Sequence, residues 1–249
     1  MKFVEYGKEN SDVIIFLHGG GLSWWNYREV AENLQSDYRV IIPILNGHSG
    51  NEKDFISIEE NALEIIEYID KECGGSVLLI GGLSLGGQIL VDILSIRCNI
   101  CKFAIIESAL VIPMKITHYL VKPMINMSYG LINKEWFARL QFHSLRIKNE
   151  LFNDYYQDTC NISKENMISI LEANSSYKVK DSVCKTLAKV FVFVGEKEQA
   201  KMLRSAKKLN GLIPNSVLEI KHKMYHGEYS INYAQDYTKK IIDIVENQQ

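Results

Sequence analysis

Apolar runs with no wet face are what most restrict this chain. Val13–Leu17 (VIIFL) and residues 190–194 (VFVFV) are apolar at every position, and residues 76–80 (SVLLI) are apolar after the first. A strand with one solvated face alternates apolar and polar side chains, whereas a strand apolar throughout is buried on both faces, as in a parallel sheet covered by helices. The intervening segments have helical spacing. Tyr27, Val30, Ala31 and Leu34 form one stripe, and Ile58, Ala62, Ile65, Ile66 and Ile69 form a second that starts at the capping box Ser57 to Glu60 and stops before Gly74-Gly75. Tyr233, Tyr237, Ile241, Ile244 and Val245 form a third, and Met202, Leu203, Ala206 and Leu209 a fourth, which Asn210-Gly211 is expected to end. Further strands are expected at residues 38–45, 102–106 and 216–220. The alternation predicts an α/β fold with a mostly parallel central sheet flanked by helices.

Chemistry-bearing residues fall at the ends of these strands. Gly82-Leu83-Ser84-Leu85-Gly86-Gly87 joins the strand at 76–80 to a helix-like segment at 88–95, which places Ser84 on a strand-to-helix elbow. A turn this sharp strains the serine backbone and needs small residues two positions to either side. The strand at 13–17 ends in His18-Gly19-Gly20-Gly21, where glycines let backbone amides come close to a ligand. The strand at 190–194 ends in Gly195-Glu196-Lys197-Glu198, and the last strand is followed by Tyr225-His226-Gly227-Glu228. The order along the chain is therefore serine, acid, histidine.

These four motifs, H-G-G-G, G-L-S-L-G-G, G-E-K-E and H-G-E, give the chain a resemblance to the α/β-hydrolase family, specifically its capped serine esterases, over residues 12–245 apart from the middle. The resemblance implies a nucleophile at Ser84, a base at His226 and an orienting acid. It also implies an oxyanion hole from the backbone amides of Leu85 and Gly20. Family spacing after Gly195 favours Glu198 as the acid, with Glu196 in the same loop and Glu107 at another strand end as alternatives. His18 and His48 fit structural roles in turns, His222 competes with His226, and Glu228 reads as a helix-start charge. Only residues 3–6 precede the first core strand, so the antiparallel strands that often begin this fold are reduced to one at most. The implied reaction is hydrolysis of a carboxylic ester or thioester of a small-to-medium apolar substrate, without metal or organic cofactor. Acyl transfer, carbon–carbon hydrolysis, cofactor-free peroxidation and slow-turnover ligand sensing use the same parts and stay open.

Composition narrows the partners. A net charge of −2, from 28 basic and 30 acidic residues, offers no footprint for nucleic acid, so a small-molecule substrate is expected. The N-terminus lacks a signal-peptide pattern and no run is long enough to span a bilayer, so a cytoplasmic location is expected. Five cysteines, an odd number, fit reduced thiols, and Cys98-Asn99-Ile100-Cys101 lacks the further ligands of a zinc site.

The strand–helix alternation is interrupted once, where residues 113–184 contain no strand-like run. A structureless loop of that length is improbable in a compact domain. The segment is expected to be a helical cap on a core of residues 1–112 and 185–249, with helices over 115–121, 133–145 and 150–158 and a fourth starting at Ser163. Its Met114, Met124, Met127, Tyr129, Trp136, Phe137, Phe142 and Phe152 are the apolar side chains from which a pocket could be lined.

Overall fold

The computed structural model describes residues 1–246; residues 247–249 of the expected core segment 185–249 lie outside the described residues. In chain order the strands are β1 (Lys2–Tyr6), β2 (Val13–Leu17), β3 (Arg39–Ile44), β4 (Val77–Leu83), β5 (Cys101–Glu107), β6 (Lys189–Gly195) and β7 (Ser216–Lys221). They form one sheet in the order β1-β3-β2-β4-β5-β6-β7. β1 runs antiparallel to β3 as the single added edge strand, and every other pairing is parallel.

The sequence pattern explains the two covering layers. Ile14 and Phe16 of β2 face α1 (Arg28–Leu34) and α10 (Ala234–Glu246), in one core with Val30, Leu34, Tyr237 and Ile241. Ile15 and Leu17 point the other way, into a core shared with α2 (Ile58–Glu72), α3 (Leu85–Ile96) and α8 (Ala200–Leu212). Each side chain so buried contributes roughly 1.5–3 kcal/mol. Ser57 caps α2 by accepting the Glu60 amide at 3.0 Å.

Several helix boundaries differ from expectation, those expected over 133–145 and 150–158 by two residues at an end. α3 starts at Leu85, immediately after the serine, rather than at 88. α8 continues through Asn210-Gly211 to Leu212, because Gly211 does not take a positive φ and Pro214 supplies the stop instead. The helix expected over 115–121 extends through Pro123 to Ser128.

Between β5 and β6 the described residues contain helices and turns but no strand: α4 (Lys115–Ser128), α5 (Glu135–Leu145), α6 (Phe152–Cys160) and α7 (Lys164–Ser176). The two ends of this segment meet, since the Met114 amide donates to the Ser175 carbonyl at 2.7 Å. Gln88, in the first turn of α3, holds both ends by donating to the Leu110 and Asn174 carbonyls at 2.7 and 2.9 Å. Further ties run from Trp25 Nε1 to Asp158 (2.7 Å) and from the Phe55 amide to Asn166 Oδ1 (2.8 Å). Asn232, in α9 (Glu228–Asn232), grips the loop after α5 from both sides, donating to the Arg146 carbonyl at 2.8 Å and accepting the Lys148 amide at 3.0 Å. Among the described residues no helix is long and apolar enough to cross a membrane.

Candidate active site

The C-terminal ends of β2, β4 and β6 and the loop after β7 open on a cavity of about 460 Å³. Ser84 lines it from the elbow between β4 and α3, with φ 53° and ψ −111°, a conformation that side-chain-bearing residues rarely adopt. Its backbone is pinned on both sides: the Ser84 amide donates to the Glu107 carbonyl at 2.9 Å, and its carbonyl accepts the Gln88 amide at 3.0 Å. The elbow requires its glycines, because a Cβ on Gly82 would collide with the Gly86 carbonyl and one on Gly86 with the Leu17 carbonyl.

Gly20 and Leu85 come together beside the serine. A Cβ at Gly20 would lie 3.5 Å from Leu85 Cβ. Around them the amides of Gly21 and Leu22 are taken, by His48 Nε2 at 3.1 Å and by the Gly19 carbonyl at 3.1 Å. Among the described residues neither the Gly20 nor the Leu85 amide donates a hydrogen bond, and both are the amides named by sequence for an oxyanion. His18 accepts the Leu45 amide at Nε2 (3.1 Å), so both early histidines brace the loops around H-G-G-G. Burial holds the His18 imidazole well below its ordinary value, and burial pushes His48 down to about 4. Both are therefore neutral hydrogen-bonding groups at ordinary pH.

Among the three candidate acids the geometry separates clearly. Glu198 Oε2 lies 2.7 Å from His226 Nδ1, and His226 lines the cavity with Ser84. The other Glu198 oxygen accepts from Ser108 Oγ and from the Gly195 amide, each at 2.7 Å. Burial pushes the Glu198 carboxyl up, but His226, Ser108 and Gly195 outweigh it and hold the group below the usual carboxylate range. Glu196 turns away and pairs with His222 Nδ1 at 2.8 Å. Glu107 is buried beneath the site, accepts the Ser230 amide at 3.3 Å, and makes no hydrogen bond to His226. Burial raises its carboxyl to about 7. Glu228 accepts the Tyr225 amide at 2.8 Å and so steadies the histidine loop. Among the described residues Ser84 Oγ and His226 Nε2 have no hydrogen-bond partner and face the same open space.

Sequence reasoning missed Ser108. It sits just past β5 with φ 53°, its amide donates to the Phe193 carbonyl at 2.9 Å, and its hydroxyl lies between Glu198 and the Gly227 amide (3.4 Å). A second positive-φ serine at a strand end is the kind of signal that dihedral angles carry and residue identity does not.

The cavity walls also differ from expectation. Of the methionines and aromatics named in residues 113–184, only Met114 lines the cavity. Met124, Met127 and Trp136 face solvent, whereas Phe142 and Phe152 pack edge-to-face at 5.4 Å within the hydrophobic cluster that also holds Trp25, Phe16 and Tyr237. The apolar wall comes instead from Leu110, Leu145, Ile147, Ile170, Leu171 and Met202. All five cysteines are free thiols; Cys101 is buried and pushed up to about 12, and among the described residues no cluster of metal-binding side chains occurs.

A family model for the alpha/beta hydrolase family matches residues 14–178. No curated protein matches the chain. Among solved structures, a thermophilic esterase from Thermogutta terrifontis superposes with TM-score 0.81 at 15% identity, covering 99% of this chain and 93% of that one. MenH from S. aureus gives 0.78 at 20% identity, with 100% and 98% covered. An esterase (EaEST) from Exiguobacterium antarcticum gives 0.80 at 17%, with 98% and 94% covered. At such identities these likenesses describe the fold.

Proposed function

The chain belongs to the alpha/beta hydrolase family, and on that premise we propose that it hydrolyses carboxylic esters or thioesters through an acyl-enzyme on Ser84, with His226 as base and Glu198 as orienting acid. The observation that carries this reading is the 2.7 Å contact between Glu198 and His226 Nδ1 at the wall of the cavity into which the strained Ser84 elbow opens.

Glu198 keeps the proton of His226 on Nδ1, which leaves Nε2 as the acceptor facing the serine. As Ser84 Oγ bonds to the substrate carbonyl carbon, its proton passes to Nε2 and the carbonyl π pair moves to oxygen, where the Gly20 and Leu85 amides receive the negative charge. Collapse of this intermediate breaks the bond to the leaving oxygen or sulfur, which takes the proton from Nε2. Water then repeats the sequence on the acyl-enzyme, giving up one proton to His226 and releasing the acid and a restored Ser84 hydroxyl. The bond from Ser84 to His226 forms as substrate enters, a tightening common in such sites. Residues 113–184 act in this reading as a cap, on a core of 1–112 and 185–249, that shapes the substrate end of the cavity.

The test is a series of p-nitrophenyl esters of increasing acyl length together with one acyl thioester. Sustained turnover that disappears in Ser84→Ala, and a fluorophosphonate adduct mapped to Ser84, are the expected results. Hydrolysis that persists in the purified variant would sink the proposal.

A further inference from the structure

Besides Tyr225, the ionisable groups lining the cavity are Glu198, His226, Arg146 and Lys197. The first two are committed to each other. The remaining two are both cations, and they converge on one ring: the Arg146 guanidinium lies 3.9 Å from the centroid of Tyr225 and the Lys197 ammonium 5.2 Å from it. Tyr225 is the residue before His226. Among the described residues neither cation forms an ion pair or a side-chain hydrogen bond. Both residues are exposed at the rim of the apolar cavity, where an anion entering it would meet two positive charges.

The backbone points the same way. Arg146 ends α5 in the left-handed region, φ 56° and ψ 31°, a cap position that suits glycine or asparagine far better than arginine. The Asn232 amide clamps the carbonyl of this residue and the amide of Lys148, so the strained arginine is held against the histidine loop. The Arg146 side chain thereby reaches the cavity wall against the Tyr225 ring.

We propose that the substrate is an ester or thioester whose far end carries a carboxylate, bound by Arg146 and Lys197 while the apolar wall between holds the connecting chain. This rests on the ester-hydrolase reading above. The planar guanidinium can take a carboxylate with two parallel N–H bonds, and the ammonium adds a point charge.

The test compares p-nitrophenyl hydrogen adipate with p-nitrophenyl hexanoate, which differ by a carboxylate in place of a methyl group. In the wild-type protein kcat/KM for the adipate ester is expected to exceed that for the hexanoate ester about tenfold or more, chiefly through KM, and the ratio should fall as salt screens the charges. Arg146→Gln and Lys197→Gln are expected to collapse the ratio. Arg146→Gly, which suits the left-handed backbone, removes the charge without endangering the fold and should collapse it equally. A wild-type ratio at or below one, or one unchanged in all three variants, overturns the inference while leaving the hydrolase reading intact. If neither ester is turned over, the hydrolase reading fails by itself. Calorimetric binding of monomethyl adipate, which keeps one free carboxylate, against the neutral methyl hexanoate to Ser84→Ala then decides the anion site, and equal affinities would refute it.

Discussion

The loops after β6 and β7 carry two glutamate–histidine pairs of the same composition and almost the same length, Glu198–His226 at 2.7 Å and Glu196–His222 at 2.8 Å. Their surroundings differ. The Glu198 side chain is 1% exposed and its second oxygen is held by Ser108 and Gly195, whereas the Glu196 side chain is 50% exposed and lies beside a His222 that is 73% exposed. One pair opens on the cavity with Ser84; the other faces water. A short carboxylate–imidazole contact therefore says little about chemistry until burial, supporting donors and a facing nucleophile are counted with it.

This contrast can be broken or sharpened by mutation. The largest effect is expected for Ser84→Ala, which should lower kcat on p-nitrophenyl esters by ~10⁴-fold or more while the circular dichroism spectrum is preserved. Next, Glu198→Gln should cut kcat by ~10³- to 10⁴-fold with KM nearly constant, because the wrong imidazole tautomer is then held toward the serine. A drop of that size in Glu196→Gln instead would reverse the assignment of the two pairs. Ser108→Ala removes one donor to a buried carboxylate and is expected to lower kcat about 10- to 100-fold. It should also shift the acid limb of the kcat–pH profile, a shift that a loss of stability alone would not produce.

A smaller effect concerns Glu107 and folding rather than turnover. Burial raises its carboxyl to about 7, so the folded chain keeps a proton that the unfolded chain releases above about pH 4.3. Its stabilising contribution is complete below that pH and declines as pH rises through 7. Glu107→Gln should remove the decline, gaining on the order of 2 kcal/mol over wild type between pH 5 and pH 8 in urea unfolding. A constant difference across that range would contradict the buried, neutral carboxyl. Smallest of all, His222→Gln and Glu196→Gln should leave kcat/KM within about twofold, as expected of an exposed ion pair.

The sheet and the ends of its strands were readable because both follow from short patterns. Uninterrupted apolar runs mark strands covered on two sides, and Gly82 and Gly86 flank Ser84 since a Cβ at either would strike a carbonyl. The strand-end position also brought Glu198 and His226 into view, with Glu196 and Glu107 as alternatives, and of the three glutamates Glu198 is the one hydrogen-bonded to His226. What lay beyond the sequence depends on which way a helix faces. Ile116, Tyr119, Leu120, Met124 and Met127 have the spacing of a buried stripe on α4, yet each is exposed and α4 packs against α7 with its other face. Periodicity shows that a helix has an apolar face but not that another element covers it. Arg146 and Lys197 carried no pattern, because their relation to Tyr225 is made by three separate loops.

The 2.7 Å bond from the Met114 amide to the Ser175 carbonyl brings together the start and finish of a stretch of about 60 residues. To the sheet this stretch is a detour that leaves and returns at one point. Lengthening such a detour is cheap, since each doubling of a closed loop adds only about 0.6 kcal/mol of chain entropy. Insertions in the exposed turns between its helices can therefore accumulate over generations with little penalty to folding, while loss of its buried Phe142, Phe152 or Tyr155, or single-residue changes at Gly82 or Gly86, cannot. Lineages sharing this scaffold are expected to diverge first in the length of that detour and last in the elbow around Ser84.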